Sequence, residues 1–325
     1  SAVHAGPVVL SYPLPPAAPL LGGNTLLCEG ETLNLTASAE PGVTYLWTGP
    51  GGFSSNLQNP GRPNATQLYS GVYTLTVTRN LCTSSSSINV TVQPRPVFVS
   101  TLSPPPICSN TSFGYTPAGN VPGTTFSWSR ALTAGIANPA ANGTDAISEI
   151  LVNTSGAPVE VTYVYTLKAG DCISTQNVKL MVYPAITNLL SSTGMTVCAG
   201  QQVVITGAVA SGGTGLYQYT WESSADNVSW TTISNQNSKD LSITPPNTAY
   251  IRRVVSSGPC SATSAPLLIT VQPGISNNTI AASQQVCLGQ PVALLAGSTP
   301  TGADGTFFYQ WQSSTDQVTW FDLPG

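Results

Sequence analysis

Charge is what this sequence lacks most. Nine basic and thirteen acidic residues are spread over 325 positions, for a net charge of −4. Lys168, Lys179 and Lys239 are the three lysines, and Arg252-Arg253 is the one adjacent basic pair. Nucleic acid is held mainly by clustered Lys and Arg, so no nucleic-acid partner is expected. Neighbouring residues on a strand point to opposite faces, so Arg252 and Arg253 should part company rather than converge on one anion.

Histidine is scarcer still, His4 being the single one. One imidazole at the N-terminus cannot complete a Ser/His/Asp or Cys/His constellation within the body of the chain. The carboxylates are scattered, without the close pairing that glycoside hydrolysis needs. No CxxC occurs, which removes the usual zinc spacing. Asp226 and Asp316 occupy equivalent turns and read as turn formers rather than calcium ligands, since no dense Asp/Asn ladder accompanies them. Gly51-Gly52 follows Pro50 as a turn, with no phosphate loop leading into a helix. No enzyme is expected, and no catalytic, cofactor-binding or metal-binding residue is assigned.

Long apolar runs are missing too. None approaches the roughly 18 residues of a membrane-spanning helix, so membrane insertion is not expected. Helix periodicity is almost absent, while 41% of residues are hydrophobic and 30 Gly and 27 Pro punctuate the chain. Ser and Thr supply roughly a quarter of all positions. Such composition borders on disorder, but clear alternation of apolar and polar residues argues for folded sheets.

What the chain does have is a repeat. Cys28, Cys108, Cys198 and Cys287 lie 80, 90 and 89 residues apart. Two positions after each stands Gly30, Asn110, Gly200 or Gly289, and 19 to 24 residues on comes Trp47, Trp128, Trp221 or Trp311. Period-2 runs fill each copy: Leu33, Leu35 and Ala37; Tyr73, Leu75 and Val77; Ile88, Val90 and Val92; Val161, Tyr163, Tyr165 and Leu167; Leu267, Ile269 and Val271. Short strands between Gly, Pro, Asn and Ser clusters at this period predict an all-β chain of tandem Ig-like or PKD-like β-sandwiches.

Pro94, Pro184 and Pro273 each stand 14 residues before the next repeat's cysteine. A constant, Pro-bearing seam predicts a stiff join and a rod. The repeats divide the chain into a closing strand at 1–13, domains at 14–94, 95–184 and 185–273, and a partial domain at 274–325. Pro7 to Pro13 echoes Pro266 to Pro273, and Gly325 follows soon after Trp320. Both ends thus divide a repeat, which predicts either a slice of a longer polypeptide or part-domains completed by strands of neighbouring subunits.

Seven cysteines in a chain so poor in charge point to an oxidising, extracytoplasmic compartment. The favoured structural pairing is within repeats: Cys28–Cys82, Cys108–Cys172 and Cys198–Cys260, with Cys287 left over. A rival scheme joins Cys82–Cys108, Cys172–Cys198 and Cys260–Cys287 at separations of 26, 26 and 27. The rival is more regular, and in a sandwich the two cysteines of one repeat can fall at opposite ends.

In the hairpin from Trp221 to Trp230, paralleled by Trp311 to Trp320, a turn centred on Ala225-Asp226 would place both tryptophans on one face. Core packing is the expected role. The competing one is a sugar-stacking platform at Trp230 and Trp320. Eight Asn-x-Ser/Thr sequons, at Asn34, Asn64, Asn89, Asn110, Asn142, Asn153, Asn227 and Asn277, matter only in a source that glycosylates asparagine.

The run Tyr45-Leu-Trp-Thr-Gly-Pro-Gly-Gly-Phe53, with Gly71-Val-Tyr-Thr-Leu-Thr-Val77, resembles the Ig-like repeats of giant secreted proteins of Bacteroidota. Phe126-Ser-Trp128 through Val161 to Leu167 and Cys172 is similar to their PKD-like variant, and the Trp-to-Trp hairpins with Tyr250-Ile-Arg-Arg253 to a further form. The resemblance covers nearly the whole chain. It implies a cell-surface adhesin or filament exported by the type IX route, with no catalytic residues to carry over. The expected function is therefore a structural segment of a long extracellular adhesin or surface filament, with other copies of itself and surface glycans as partners. The alternatives are a carbohydrate-binding array and the non-catalytic stalk of a secreted enzyme.

Overall fold

A computed structural model describes residues 12–324; the expected closing strand at Pro7 to Pro13 falls almost wholly outside them. Among the described residues every extended element is a strand, and the only helical turns are the short 3-10 segments Pro50–Gly52 and Gln67–Tyr69. Two compact units result. One runs to Pro106 and adds Thr111–Val152 and Val159–Val182; the other takes Ile107–Asn110, Asn153–Pro158 and everything from Tyr183 onward.

In the first unit, the first sandwich sets a five-stranded sheet against a three-stranded one. The larger sheet runs in the order Leu26–Cys28, Cys82–Gln93, Gly71–Arg79, Thr44–Gly49, Phe53–Ser55. The smaller has Leu33–Ala37 between Leu21–Gly23 and Gly61–Arg62. Alternation decides the core: Tyr73, Leu75 and Val77 point inward onto Leu33, Leu35, Trp47, Val90 and Val92. The intervening threonines meet Ser85 and Ser87 across the outer face, in Thr76–Ser85 and Thr74–Ser87 hydroxyl pairs. One hydroxyl row thus covers a sheet that carries almost no charge.

The second sandwich of this unit is built on the long hairpin Val159–Ala169 and Cys172–Tyr183, with Thr125–Arg130 and Ala141–Thr144 continuing the sheet. Its opposite layer pairs Thr111–Tyr115 with Ile147–Leu151. An aromatic cluster fills the interior: Phe98 meets Tyr115, Phe126 and Tyr165, while Tyr163 meets Phe113 and Trp128. Phe98 meets Tyr115 and Tyr165, and Trp128 meets Tyr163, edge to face, while Phe98 stacks on Phe126. Such pairs add about 0.5–1.5 kcal/mol each beyond the area they bury.

In the second unit, the sheet Met195–Cys198, Leu267–Gln272, Ala249–Ser257, Gln218–Ser224, Thr231–Thr232 packs on the pair Val203–Ile205 and Leu241–Ile243. Val197, Val203, Ile205, Trp221, Leu241, Ile251, Leu267 and Ile269 form its core. Beyond Pro273 the described strands are the short pair Gln312–Ser313 and Phe321–Asp322. There Trp311 keeps 41% of its surface, against none for Trp221 at the same place in the preceding repeat.

The Cys-x-Gly signature has a backbone cause. Gly30, Gly200 and Gly289 have φ of 86, 81 and 83°, and Asn110, which replaces glycine in the second repeat, has φ of 63°. This left-handed region is open to Gly and tolerated by Asn. The turn it makes lets Glu31 and Gln201 donate back to the carbonyls of Cys28 and Cys198.

Candidate functional site: cystines that bridge repeats

The first cysteine of a repeat lies on a short strand running parallel to the closing strand. Leu26, Leu27 and Cys28 face Thr91, Val92 and Gln93, and Met195 to Cys198 likewise ends opposite Gln272. Backbone N–H groups of Glu29 and Ala199 then donate to the carbonyls of Gln93 and Gln272. The second cysteine follows a two-residue turn, with Arg79 facing Cys82, Ala169 facing Cys172 and Ser257 facing Cys260. Cys82 and Cys172 open the closing strand, and Cys260 opens the short strand Cys260–Thr263 that precedes it. The first repeat therefore holds its two cysteines at opposite ends of one strand.

This geometry overturns both expected pairings. Cys82–Gln93 is a 12-residue strand. At about 3.4 Å per residue its ends stand roughly 35 Å apart, far beyond the 7 Å limit between Cα atoms of a disulfide. Cys28–Cys82 is excluded, and Cys108–Cys172 and Cys198–Cys260 do not form because Cys172 and Cys260 are bonded elsewhere. The rival scheme fails too, because Cys108 and Cys260 are bonded to each other and Cys172 to Cys28. The bonds formed are Cys28–Cys172 and Cys108–Cys260, with Cα separations of 5.6 and 5.1 Å. Each joins the first cysteine of one repeat to the second cysteine of the next. Among the described residues Cys82, Cys198 and Cys287 carry free thiols.

Around Cys28–Cys172 the first unit has a built seam. Arg95, between Pro94 and Pro96, donates Nε to the Glu29 carbonyl at 3.1 Å and Nη1 to the Ile173 carbonyl at 2.8 Å. Ser174 Oγ donates to the Pro96 carbonyl, and the Gln176 side chain accepts the Phe98 N–H at 2.7 Å. A Cβ at Gly170 would lie 3.1 Å from the Gln93 side-chain amide, close enough that the amide would have to shift. In the second unit, Cys260 Sγ lies 3.6 Å from the Pro184 carbonyl, and Ser109 donates its N–H to Tyr183 at 2.7 Å. Asn153, one of the sequon asparagines, is buried here and donates its amide to the Ala157 carbonyl, so a glycan on it would require this loop to open.

The tryptophan hairpin also differs from expectation. Glu222 pairs with Thr232 and Ser223 with Thr231, and Ile233 donates to the Trp221 carbonyl at 2.8 Å. Trp221 is thus matched with Ile233 and not with Trp230. The turn is longer than the two-residue loop assumed, because Asp226 organises it. One carboxylate oxygen of Asp226 accepts from Val228 at 2.9 Å, Ser229 at 2.8 Å and Ser224 Oγ at 2.9 Å. These backbone donors hold its carboxyl at about 2. Asp316 repeats the arrangement with Val318, Thr319 and Ser314, again at about 2.

Trp230 is half-buried, with the Arg252 guanidinium 3.9 Å from its ring centre, and Arg252 also bonds Glu222 at 2.7 Å. Trp320 is exposed. Arg253 points the other way, wholly buried. The two arginines separate as alternation requires.

Residues 188–273 and 276–325 match a family model described as a domain of unknown function, DUF8696, and residues 105–184 match the PKD-like domain model. No curated protein matches the chain. Among solved structures it is similar to the I-band fragment I67-I69 of titin, at 14% identity over 78% of this chain and 98% of that one, TM-score 0.35. It is also similar to the three N-terminal domains of the bacteriophage RB49 outer capsid protein Hoc, at 17% identity, 78% and 98% coverage, TM-score 0.40. Extracellular domains 3–5 of Drosophila OTK match at 12% identity, 80% and 99% coverage, TM-score 0.35. With sandwich after sandwich and a second repeat that matches the PKD-like domain model, the chain is a multi-domain all-β protein.

Proposed function

We propose that this chain is a structural segment of a long extracellular adhesin or surface filament, in which covalent staples across the repeats resist stretching. The observation that carries the reading is the staggered cystine pattern, Cys28–Cys172 and Cys108–Cys260. A disulfide placed for the stability of one small domain would close within it; these reach across 144 and 152 residues into the neighbouring repeat. Closing loops of that size restricts the unfolded chain by roughly 5 kcal/mol each in the chain-entropy account. Disulfides persist in oxidising compartments, which supports a secreted, cell-surface location. The Bacteroidota type of surface protein that the sequence resembles fits this role. Other copies of the chain and surface glycans are its proposed partners, lateral association meeting little opposition from so small a net charge.

Pulling single molecules from their two ends, oxidised and then reduced, tests the reading. The shortest covalent route through both cystines leaves roughly half of the backbone free to extend. The oxidised chain should therefore reach roughly half the final length of the reduced one. Equal lengths, or compact globules in electron micrographs of the secreted protein, would remove the proposal.

A further inference from the structure

The pairing rule leaves three cysteines with a defined place and no bonded partner among the described residues. Cys82 is the second cysteine of the first repeat, the equivalent of Cys172 and Cys260. Its surroundings match those of Cys172. Cys172 lies against the carbonyl of Gln93, with Ser174 bonded to the carbonyl of Pro96, three residues on. The Cys82 thiol donates to the carbonyl of Pro13 at 3.2 Å, and Ser84 donates to the carbonyl of Pro16 at 2.6 Å, again three residues on. Pro16 and Pro96 are both buried. The seam that accompanies a repeat-bridging cystine is therefore already built at Cys82. At the other end, Cys198 stands opposite Gln272 in the register that Cys28 holds opposite Gln93, and it is exposed.

We propose that Cys82 and Cys198 are the open rungs of a continuing disulfide ladder. Cys82 bonds the first cysteine of a module of the same design preceding it in the same polypeptide. Cys198 bonds the second cysteine of the module that begins at Cys287, and Cys287 that of the one after. This deepens the proposed function and rests on its staple reading. Bond formation is a thiol–disulfide exchange. The thiolate of one cysteine attacks the disulfide of an oxidoreductase of the extracytoplasmic space, and the second protein thiolate displaces the donor sulfur. The donor leaves as a dithiol carrying the two protons, and the ladder gains one S–S bond.

The consequence is two interleaved covalent straps. One runs Cys28–Cys172, along the backbone to Cys198, and onward; the other enters at Cys82, runs to Cys108–Cys260, then to Cys287. The backbone links are 26 or 27 residues, from Cys82 to Cys108, Cys172 to Cys198 and Cys260 to Cys287. Fully extended, such a link spans about 90 Å, whereas the whole chain from Cys28 to Cys198 would span roughly 580 Å. Unfolding every module would add little length to a laddered polypeptide.

Non-reducing peptide mapping of the full polypeptide, secreted by its own cell and alkylated before digestion, decides the matter. The Cys82 peptide should appear crosslinked to a cysteine N-terminal to Ser1, and the Cys198 peptide to one C-terminal to Gly325. In the Cys82→Ser variant, one new alkylatable thiol per chain should appear in the preceding module, with Cys28–Cys172 intact as the control for folding. Alkylation of Cys82 in the native protein as a free thiol overturns the ladder. So does a Cys82–Cys198 bond between copies, seen as covalent oligomers on a non-reducing gel. Free Cys82 with filaments still visible would sink the ladder alone; a complete ladder on compact globules would sink the filament alone.

Discussion

Tyr163 donates its phenolic hydrogen to Glu149 at 2.6 Å, inside the second sandwich. The same carboxylate takes two parallel bonds from the buried Arg130, Nε at 3.0 Å and Nη2 at 2.9 Å. Burial pushes the Glu149 carboxyl up, but the bonds from Arg130 and Tyr163 and the Arg130 charge outweigh it, leaving it below its ordinary 4.5. Burial, then Glu149 itself, pushes the Tyr163 phenol far above its usual range. The Glu149 bond raises Arg130 against the pull of burial.

A carboxyl whose folded value is depressed stabilises fully above its unfolded value and loses that contribution as pH falls through the folded one. The second sandwich should therefore weaken below about pH 4.5. Glu149→Gln, which leaves the guanidinium without its counter-charge, should cost about 3 kcal/mol at pH 7 and flatten the acid loss. Hydrogen exchange across Val159–Ala169 at pH 7 and 3 measures both. An unchanged acid dependence in the variant would reject the assignment.

The three core tryptophans differ in one bond. Trp47 Nε1 donates to the Gln58 carbonyl at 3.2 Å and Trp221 Nε1 to the Ser238 carbonyl at 3.0 Å. Trp128 Nε1 is buried without an acceptor among the described residues, its ring lying opposite Gly143, where a Cβ would come within 2.8 Å. Replacing Trp47 or Trp221 by Phe removes area and takes the donor from a part-buried carbonyl. The same change at Trp128 removes area alone. Trp128→Phe should thus be milder by about 1 kcal/mol, judged from urea unfolding of the three single variants. Equal costs would show that the indole bonds contribute nothing.

The strand pattern, the Trp core and the turn after each first cysteine were legible because each depends on neighbours in sequence. Leu33 and Leu35 turn inward by alternation, and Gly30 or Asn110 answers to one backbone angle. The cystine pairing was not legible from spacing. It depends on which end of a strand each cysteine occupies, and only the parallel register of Cys28 on Gln93 reveals that. Trp230 misled because the Asp226 turn adds residues that a two-residue loop would not. Arg130 and Arg253 were hidden by their type: a charged residue on a strand reads as surface until its partners are known.

Arg253 is the most demanding case, a wholly buried cation with no carboxylate bonded to it among the described residues. Burial lowers its affinity for the proton. Its fork is met by neutral oxygens instead: Asn188 Oδ1 at 2.9 Å, and the carbonyls of Lys239 at 2.9 Å, Ala208 at 3.0 Å and Leu189 at 3.2 Å. Tyr219 and Trp221 flank the guanidinium at 5.2 and 5.9 Å. Gly207 makes the space, since a Cβ there would lie 1.7 Å from Nη1. Arg253→Lys keeps the charge but cannot span four acceptors, and should cost about 2–4 kcal/mol. Gly207→Ala should cost a similar amount by expelling the same group. Because both act through one cluster, the double variant should cost about as much as either single one, a coupling of about 2–4 kcal/mol that urea unfolding of the third sandwich can resolve. Simple additivity would mean that Gly207 is kept for its backbone and not for Arg253.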